Sequence, residues 1–191
     1  MTAPNRFAEA AIAVAAALIL AALVHLVIVL IAPFVATRDA FTRLEPLGGL
    51  NQTVALPRAA PAEKLTPYAD PAVATAFCRY NLASGPIRVQ APASRAFASI
   101  SFHTSRGLVF YALTDRAATH GVIGAVLGTP EEVRALAARD DEGAPSRDLR
   151  LSAPAREGYV LMRVFSEFPS LYSEAEAQAR QLTCRPEPVP P

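Results

Sequence analysis

The residues best suited to catalysis lie around one histidine in the middle of the chain. His103 is followed by Thr104, Ser105 and Arg106, and Asp115 closes the next apolar segment. A serine-hydrolase mechanism needs a nucleophile on a strained turn, a histidine base, a carboxylate and an oxyanion hole. The sequence contains no G-x-S-x-G motif. We therefore favour a hairpin loop followed by a helix cap over a hydrolase-like site at His103 and Asp115.

Polar side chains also recur at alternate positions of several predicted strands. Arginines on a sheet face could bind an anionic ligand or an acidic partner surface. The alternative, which we favour, is a face that is solvated or covered by an arm with paired carboxylates. The candidate residues for a ligand or partner face are Arg79, Arg88, His103, Asp115 and Arg163, with Gln90, Ser99 and Ser101 extending the polar face.

Composition argues against several other functions. The net charge is +1, so no overall field attracts nucleic acid. Lys64 is the only lysine and lies in a proline-rich stretch, which disfavours P-loop and Schiff-base chemistry. The two cysteines fit no zinc or redox spacing, and the three glycines between residues 121 and 128 do not match a dinucleotide fingerprint. We predict no catalytic residues, no cofactor and no metal ligands.

The first 36 residues contain a long apolar segment. Residues 10–32 carry no charge, and as a helix they would span roughly 34 Å, which is enough to cross a bilayer. A cleaved signal peptide is the alternative, but its apolar region is shorter and ends at a small-x-small site. Here the run is longer, and Phe34 stands where a small side chain is needed. We therefore predict an uncleaved transmembrane helix in contact with the lipid bilayer.

The two cysteines indicate on which side of the membrane the remaining chain lies. In an oxidising compartment Cys78 and Cys184 are expected to pair, closing a loop worth roughly 4–5 kcal/mol in chain entropy. The alternative is two buried free thiols in the cytosol. We favour the disulfide, and therefore a periplasmic domain on a single-pass membrane protein.

The elements that would position these residues follow from periodicity and turn residues. Residues 37–69 are rich in proline and predict an irregular arm, residues 70–185 an ordered domain, and residues 186–191 a disordered tail. Strands joined by short turns favour antiparallel pairing, and helices inserted late predict an α+β fold with two or three helices. The predicted strands are Ala74–Leu82, Ile87–Gln90, Phe97–His103, Leu108–Leu113, Val122–Leu127, Leu149–Ser152 and Tyr159–Phe165.

Two of these predictions rest on specific local patterns. The segment 108–113 is apolar on both faces, which predicts a central strand. Thr129 as N-cap, Pro130 in the first helical position and Glu132 as the capping-box residue predict a helix that runs to about Arg139. The same pattern from Ser173 predicts a last helix that runs to about residue 183.

Several motifs resemble a bacterial family. They are Asp70-Pro71, Phe77-Cys78-Arg79-Tyr80-Asn81-Leu82 with Ser84-Gly85-Pro86, Ser99-Ile100-Ser101-Phe102, and Phe110-Tyr111-Ala112-Leu113-Thr114-Asp115-Arg116. Together they resemble domain-of-unknown-function family twelve fifty-four in its short, membrane-anchored form. The resemblance implies a bacterial inner-membrane protein, often encoded beside a companion uncharacterised domain, and implies no catalytic residues. Members often have Asn-Asp where this chain has Thr114-Asp115.

Three functional hypotheses follow from these observations. The first is an accessory or assembly protein of the inner membrane that acts through contacts with a membrane or periplasmic protein. The second is a periplasmic ligand-binding module that uses the polar sheet face, which a deep pocket lined by Arg88, His103 and Arg163 would favour. The third is a hydrolase-like enzyme, which requires a close Ser–His–Asp geometry.

Overall fold

The computed structural model describes residues 5–35, 40–60, 65, 69–93, 96–138 and 149–188, apart from the side chain of Pro33. The chain divides into two compact units, Met1–Arg38 and Asp39–Pro191. Lys64, the predicted helix end at Arg139 and the last three residues of the predicted tail lie outside the described residues.

The first unit is formed by one long helix, α1 (Arg6–Val35). It contains the whole uncharged run at 10–32, and its described side chains are exposed. Thirty residues of helix measure about 45 Å. Among the described residues this is the one helix long and apolar enough to cross a membrane. It is therefore a candidate membrane anchor.

The second unit is an α+β domain, as predicted. Its helices are α2 (Ala40–Leu44), α3 (Pro130–Ala137) and α4 (Tyr172–Ala179). Its strands are β1 (Thr53–Ala55), β2 (Val73–Asn81), β3 (Ile87–Pro92), β4 (Ala98–Thr104), β5 (Val109–Thr114), β6 (Val122–Gly128), β7 (Arg150–Ser152), β8 (Glu157–Phe165) and β9 (Thr183–Pro186).

The strands form two sheets around one core. The main sheet has the order β1-β2-β8-β4-β5 and is antiparallel throughout. The second sheet has the order β7-β6-β3-β9, in which only β6 and β7 are parallel. Alternating apolar residues of both sheets meet in the core, as in β3, where Ile87 and Val89 are buried and Arg88 is not. Helix α4 packs on β2 and β8.

The predicted capping box at the start of α3 is present. The Oγ1 of Thr129 accepts from the backbone N–H of Glu132 at 3.3 Å. The Oε2 of Glu132 accepts from the backbone N–H of Thr129 at 2.7 Å. This helix therefore begins where its local sequence specifies, because both contacts lie within four residues.

The end of the chain differs from the prediction. The last helix ends at Ala179, and the expected helical residue Thr183 begins β9, which pairs with β3 through Pro186. Pairing with β3 is a contact between residues nearly a hundred positions apart, so no local pattern could indicate it. The predicted helix end and the start of the predicted disordered tail are therefore wrong.

The described part of the proline-rich arm packs on the domain. It contains α2 and the edge strand β1, which pairs with β2. Leu44 and Leu56 are buried in a small cluster with Phe77 and Tyr159. This cluster lies on the face of the main sheet that points away from the second sheet, which we call the outer face. Apolar side chains at separated positions of the arm therefore hold it on the domain, although prolines interrupt its sequence.

A disulfide joins Cys78 of β2 to Cys184 of β9. Both residues are buried, and their Cα atoms lie 6.5 Å apart, within the usual range for a bridge. The bond therefore connects the main sheet to the edge of the second sheet. It leaves no free cysteine in the chain.

Candidate functional site

The polar outer face of the main sheet is partly covered by the arm. Arg79 of β2 has a nearly buried side chain, and one of its terminal nitrogens lies 3.3 Å from the Glu45 carboxylate. Its guanidinium carbon lies 4.6 Å from the centre of the Phe41 ring, a cation–π distance. Arg79 is thus held by an arm with a paired carboxylate, which is the alternative favoured from the sequence.

His103 and Ser101 form a buried pair next to this covered region. Both residues point from β4 to the outer face, and Ser101 Oγ lies 2.9 Å from His103 Nε2. The imidazole stacks on the ring of Tyr159, with centroids 4.6 Å apart. Burial lowers the pKa of His103, the backbone of Gly107 opposes this shift, and the charge of Arg163 adds to it. The histidine is therefore neutral at pH 7.

Asp115 lies at the other end of the strand pair from His103. In the register of β4 and β5, Thr114 is opposite Ser99, whereas His103 is opposite Val109. Four strand residues separate Ser99 from His103, which is about 14 Å. The hypothesis of a hydrolase-like site at His103 and Asp115 is therefore wrong, because an antiparallel hairpin places the two residues at opposite ends.

Arg88 and Gln90 lie in the second sheet, whereas Arg79, His103 and Arg163 lie in the main sheet. Arg88 belongs to β3, where its Nε and a terminal nitrogen contact the two carboxylate oxygens of Glu187 at 2.7 and 2.9 Å. Arg163 is exposed on the main sheet, opposite Ser99 of β4. Arg88 lines a cavity of about 490 Å³ that neither His103 nor Arg163 lines. The described residues therefore do not form the pocket lined by Arg88, His103 and Arg163 that would favour the ligand-binding hypothesis.

The neutral, buried His103 predicts that acid destabilises the domain. Because its folded pKa is lowered below the usual value of 6.5, the unfolded chain takes up this proton first as the pH falls. The stabilisation of the folded domain by neutral His103 is fully present above about pH 6.5. It is lost at lower pH, by at most about 1.4 kcal/mol per pH unit. Urea denaturation between pH 7.5 and 5.5 should show this loss, and His103→Gln should reduce it.

The matched control for this prediction is the exposed His120. Asparagine tolerates the positive φ of 52° at this position, so His120→Asn removes an exposed histidine without backbone strain. The loss of stability on acidification should be as large in this variant as in the wild type. An equal loss of stability on acidification in the wild type and in His103→Gln would show that His103 is not the group responsible.

Strand β5 forms an apolar edge of the main sheet, although its sequence predicted a central strand. No described strand pairs with its outer side. Leu108, Val109 and Tyr111 are exposed, the latter two by 52% and 39%. No sequence motif marks these residues as a site. The one indication in the sequence is that both faces of the segment are apolar, because a strand at the centre of the sheet would bury both faces and an edge strand leaves them exposed.

Three comparisons with known proteins bear on this fold. Residues 50–186 match the model of a family described as "Protein of unknown function (DUF1254)". The crystal structure of the VPA0106 protein from Vibrio parahaemolyticus is similar, with a TM-score of 0.51 and 14% sequence identity. The match covers 80% of this chain and 38% of that one. No curated protein matches the sequence.

A second solved structure, of an uncharacterized protein from Burkholderia cenocepacia, has a TM-score of 0.41 and 15% identity. That match covers 69% of this chain and 33% of the Burkholderia chain. This chain thus spans about a third of the length of the two proteins of solved structure.

Proposed function

The chain belongs to the DUF1254 family, whose description assigns no activity, and we propose that it is a membrane-anchored accessory protein that acts through protein contacts. In this proposal α1 crosses the bacterial inner membrane once and the α+β domain lies in the periplasm. The length and composition of α1 support the anchor. The disulfide supports an oxidising compartment for the domain.

The exposed β5 edge is the observation that carries this proposal. Soluble domains usually protect edge strands with charges, prolines, bulges or a covering segment, because an open edge pairs with other chains. The register of β4 and β5 shifts between Phe102 and His103, yet from Val109 to Leu113 the strand carries no charge and no proline. An apolar edge of this kind is suited to accept a strand from a partner protein. We propose that the partner adds a strand beside β5.

In this proposal a separate protein supplies the added strand. The companion uncharacterised domain implied by the family resemblance is the first candidate.

Site-specific crosslinking in native membranes tests the proposed edge. A photoreactive phenylalanine analogue at Val109 or Tyr111 should crosslink the full-length protein to one protein species, because these side chains flank the pairing edge. The control position is Ala135, an exposed residue of α3, a helix that packs on β6 and β7. Equal crosslinking from all three positions, or none from β5, would contradict the proposal.

A charge on the edge should weaken the same contact. Tyr111→Lys is expected to reduce recovery of the crosslinked partner from a probe at Val109 by about tenfold, since a lysine on an edge strand opposes pairing. Ala135→Lys adds the same charge to α3 and should have no effect. If both lysine variants retain full crosslinking, β5 is not the contact edge.

A further inference from the structure

A cavity of about 620 Å³ lies between α4 and the ends of β4 and β8. This volume falls within the range of small-molecule sites. The cavity is distinct from the β5 edge, because neither Val109 nor Tyr111 lines it. It also lies apart from the Ser101–His103 pair, which does not line it.

Exposed apolar side chains form one part of the cavity wall. Phe97, Phe165 and Leu171 line it and are exposed by 55%, 42% and 43%. Phe97 immediately precedes β4 and Phe165 ends the adjacent strand β8, and the N–H of Phe165 donates to the carbonyl of Phe97 at 2.9 Å. Two aromatic rings and a leucine are therefore available to an apolar ligand group.

Carboxylates supply the charge of the cavity. Glu167 and Glu174 line it, and no arginine or lysine of the described chain does. The described ion pairs involve other glutamates, namely Glu45, Glu131, Glu176 and Glu187. The remaining polar lining groups are occupied, since Ser166 Oγ donates to Phe168 O and Gln178 Nε2 donates to Pro92 O. Within the described part of the chain, the cavity thus combines an apolar wall with two carboxylates that have no cationic partner.

We propose that this cavity binds an organic cation with an apolar body, such as an aryl- or alkylammonium compound. Aromatic faces attract ammonium groups, and the carboxylates complement the same positive charge. An anionic ligand would be repelled by Glu167 and Glu174. A neutral ligand would gain only the apolar contacts.

Calorimetric titration of the full-length protein in a non-ionic detergent tests this proposal. The probes are benzyltrimethylammonium, benzyl alcohol and benzoate, which share a phenyl ring and differ in charge. The cation should bind about tenfold more tightly than the alcohol, which corresponds to about 1.4 kcal/mol. Benzoate should show no saturable binding. Equal affinity for the cation and the alcohol, or no saturable binding of the cation, would overturn the proposal.

Variants of the two glutamates locate the binding. Glu167→Gln combined with Glu174→Gln should weaken cation binding by about tenfold or more and remove the preference over benzyl alcohol. Phe165→Leu should weaken both probes. The matched control is Glu131→Gln, since Glu131 lies in the first turn of α3 as Glu174 does in α4. Wild-type affinity in the double variant, or an equal loss in the control, would place the cation elsewhere and refute the assignment.

Discussion

Replacing both Cys78 and Cys184 by alanine is expected to lower the free energy of unfolding of the domain by about 4–5 kcal/mol. The bridge links residues 106 positions apart, so it restricts a large part of the unfolded chain. Its removal also frees β9 from β2, leaving that edge strand held by its pairing with β3 and by the Arg88–Glu187 ion pair. The loss is a large fraction of the stability of a typical domain.

Urea denaturation of the full-length protein in a non-ionic detergent measures this loss. The chain has five tyrosines and no tryptophan, so near-ultraviolet circular dichroism of the tyrosines reports unfolding of the domain. The control is Ile87→Val, a small truncation at a buried position of β3, with an expected cost of about 0.5–1.5 kcal/mol. A double alanine variant no less stable than this control would show that the bridge contributes little.

Gly158→Ala is expected to destabilise the domain by about 3 kcal/mol, the upper end of the usual cost of overpacking. Gly158 lies in β8, between Tyr80 of β2 and Thr104 of β4. A Cβ at this position would overlap the backbone oxygen of His103 and the hydroxyl of Tyr80. These two groups are themselves joined by a hydrogen bond of 3.1 Å. Pairing of β4 with β8 fixes the backbone oxygen of His103, and the Tyr80 side chain is fully buried, so neither group has space to move away.

The matched control is another glycine-to-alanine substitution. At Gly49 the nearest atoms to an added Cβ belong to the flexible end of the Gln52 side chain, at 3.2 Å. Gly49→Ala should therefore change the unfolding free energy by less than about 1 kcal/mol. Thermal unfolding followed by circular dichroism compares the two variants. Similar midpoints for both would show that the space around Gly158 can expand.

The residues that line the cavity beside α4 could be predicted from the sequence only in part. Phe97 falls on the polar side of its predicted strand, with Ser99, Ser101 and His103, and an aromatic residue at such a position can indicate a binding surface. Glu167 and Glu174 lie on the loop and helix that follow β8, with no pattern to connect them to Phe97. Only packing of α4 against the sheet brings these residues to one cavity.

The sequence alone determined the features that depend on residues close together in the chain. The length and apolarity of α1, the capping box of α3 and the alternation within β3 and β4 each involve contacts of a few residues, so local patterns predict them. The cysteine pairing also followed, because the chain has only two cysteines and an oxidising compartment favours their union.

Tertiary structure decided which strands are neighbours, and thereby the position of every candidate residue. Arg88 lies in the second sheet, Asp115 lies at the far end of the hairpin from His103, and β5 is an edge strand. A strand segment has the same sequence whether it lies at the centre or the edge of a sheet, because its neighbours come from distant parts of the chain. The pairing partners, and with them the exposed edge and the cavity, are therefore fixed only by the packing of the whole domain.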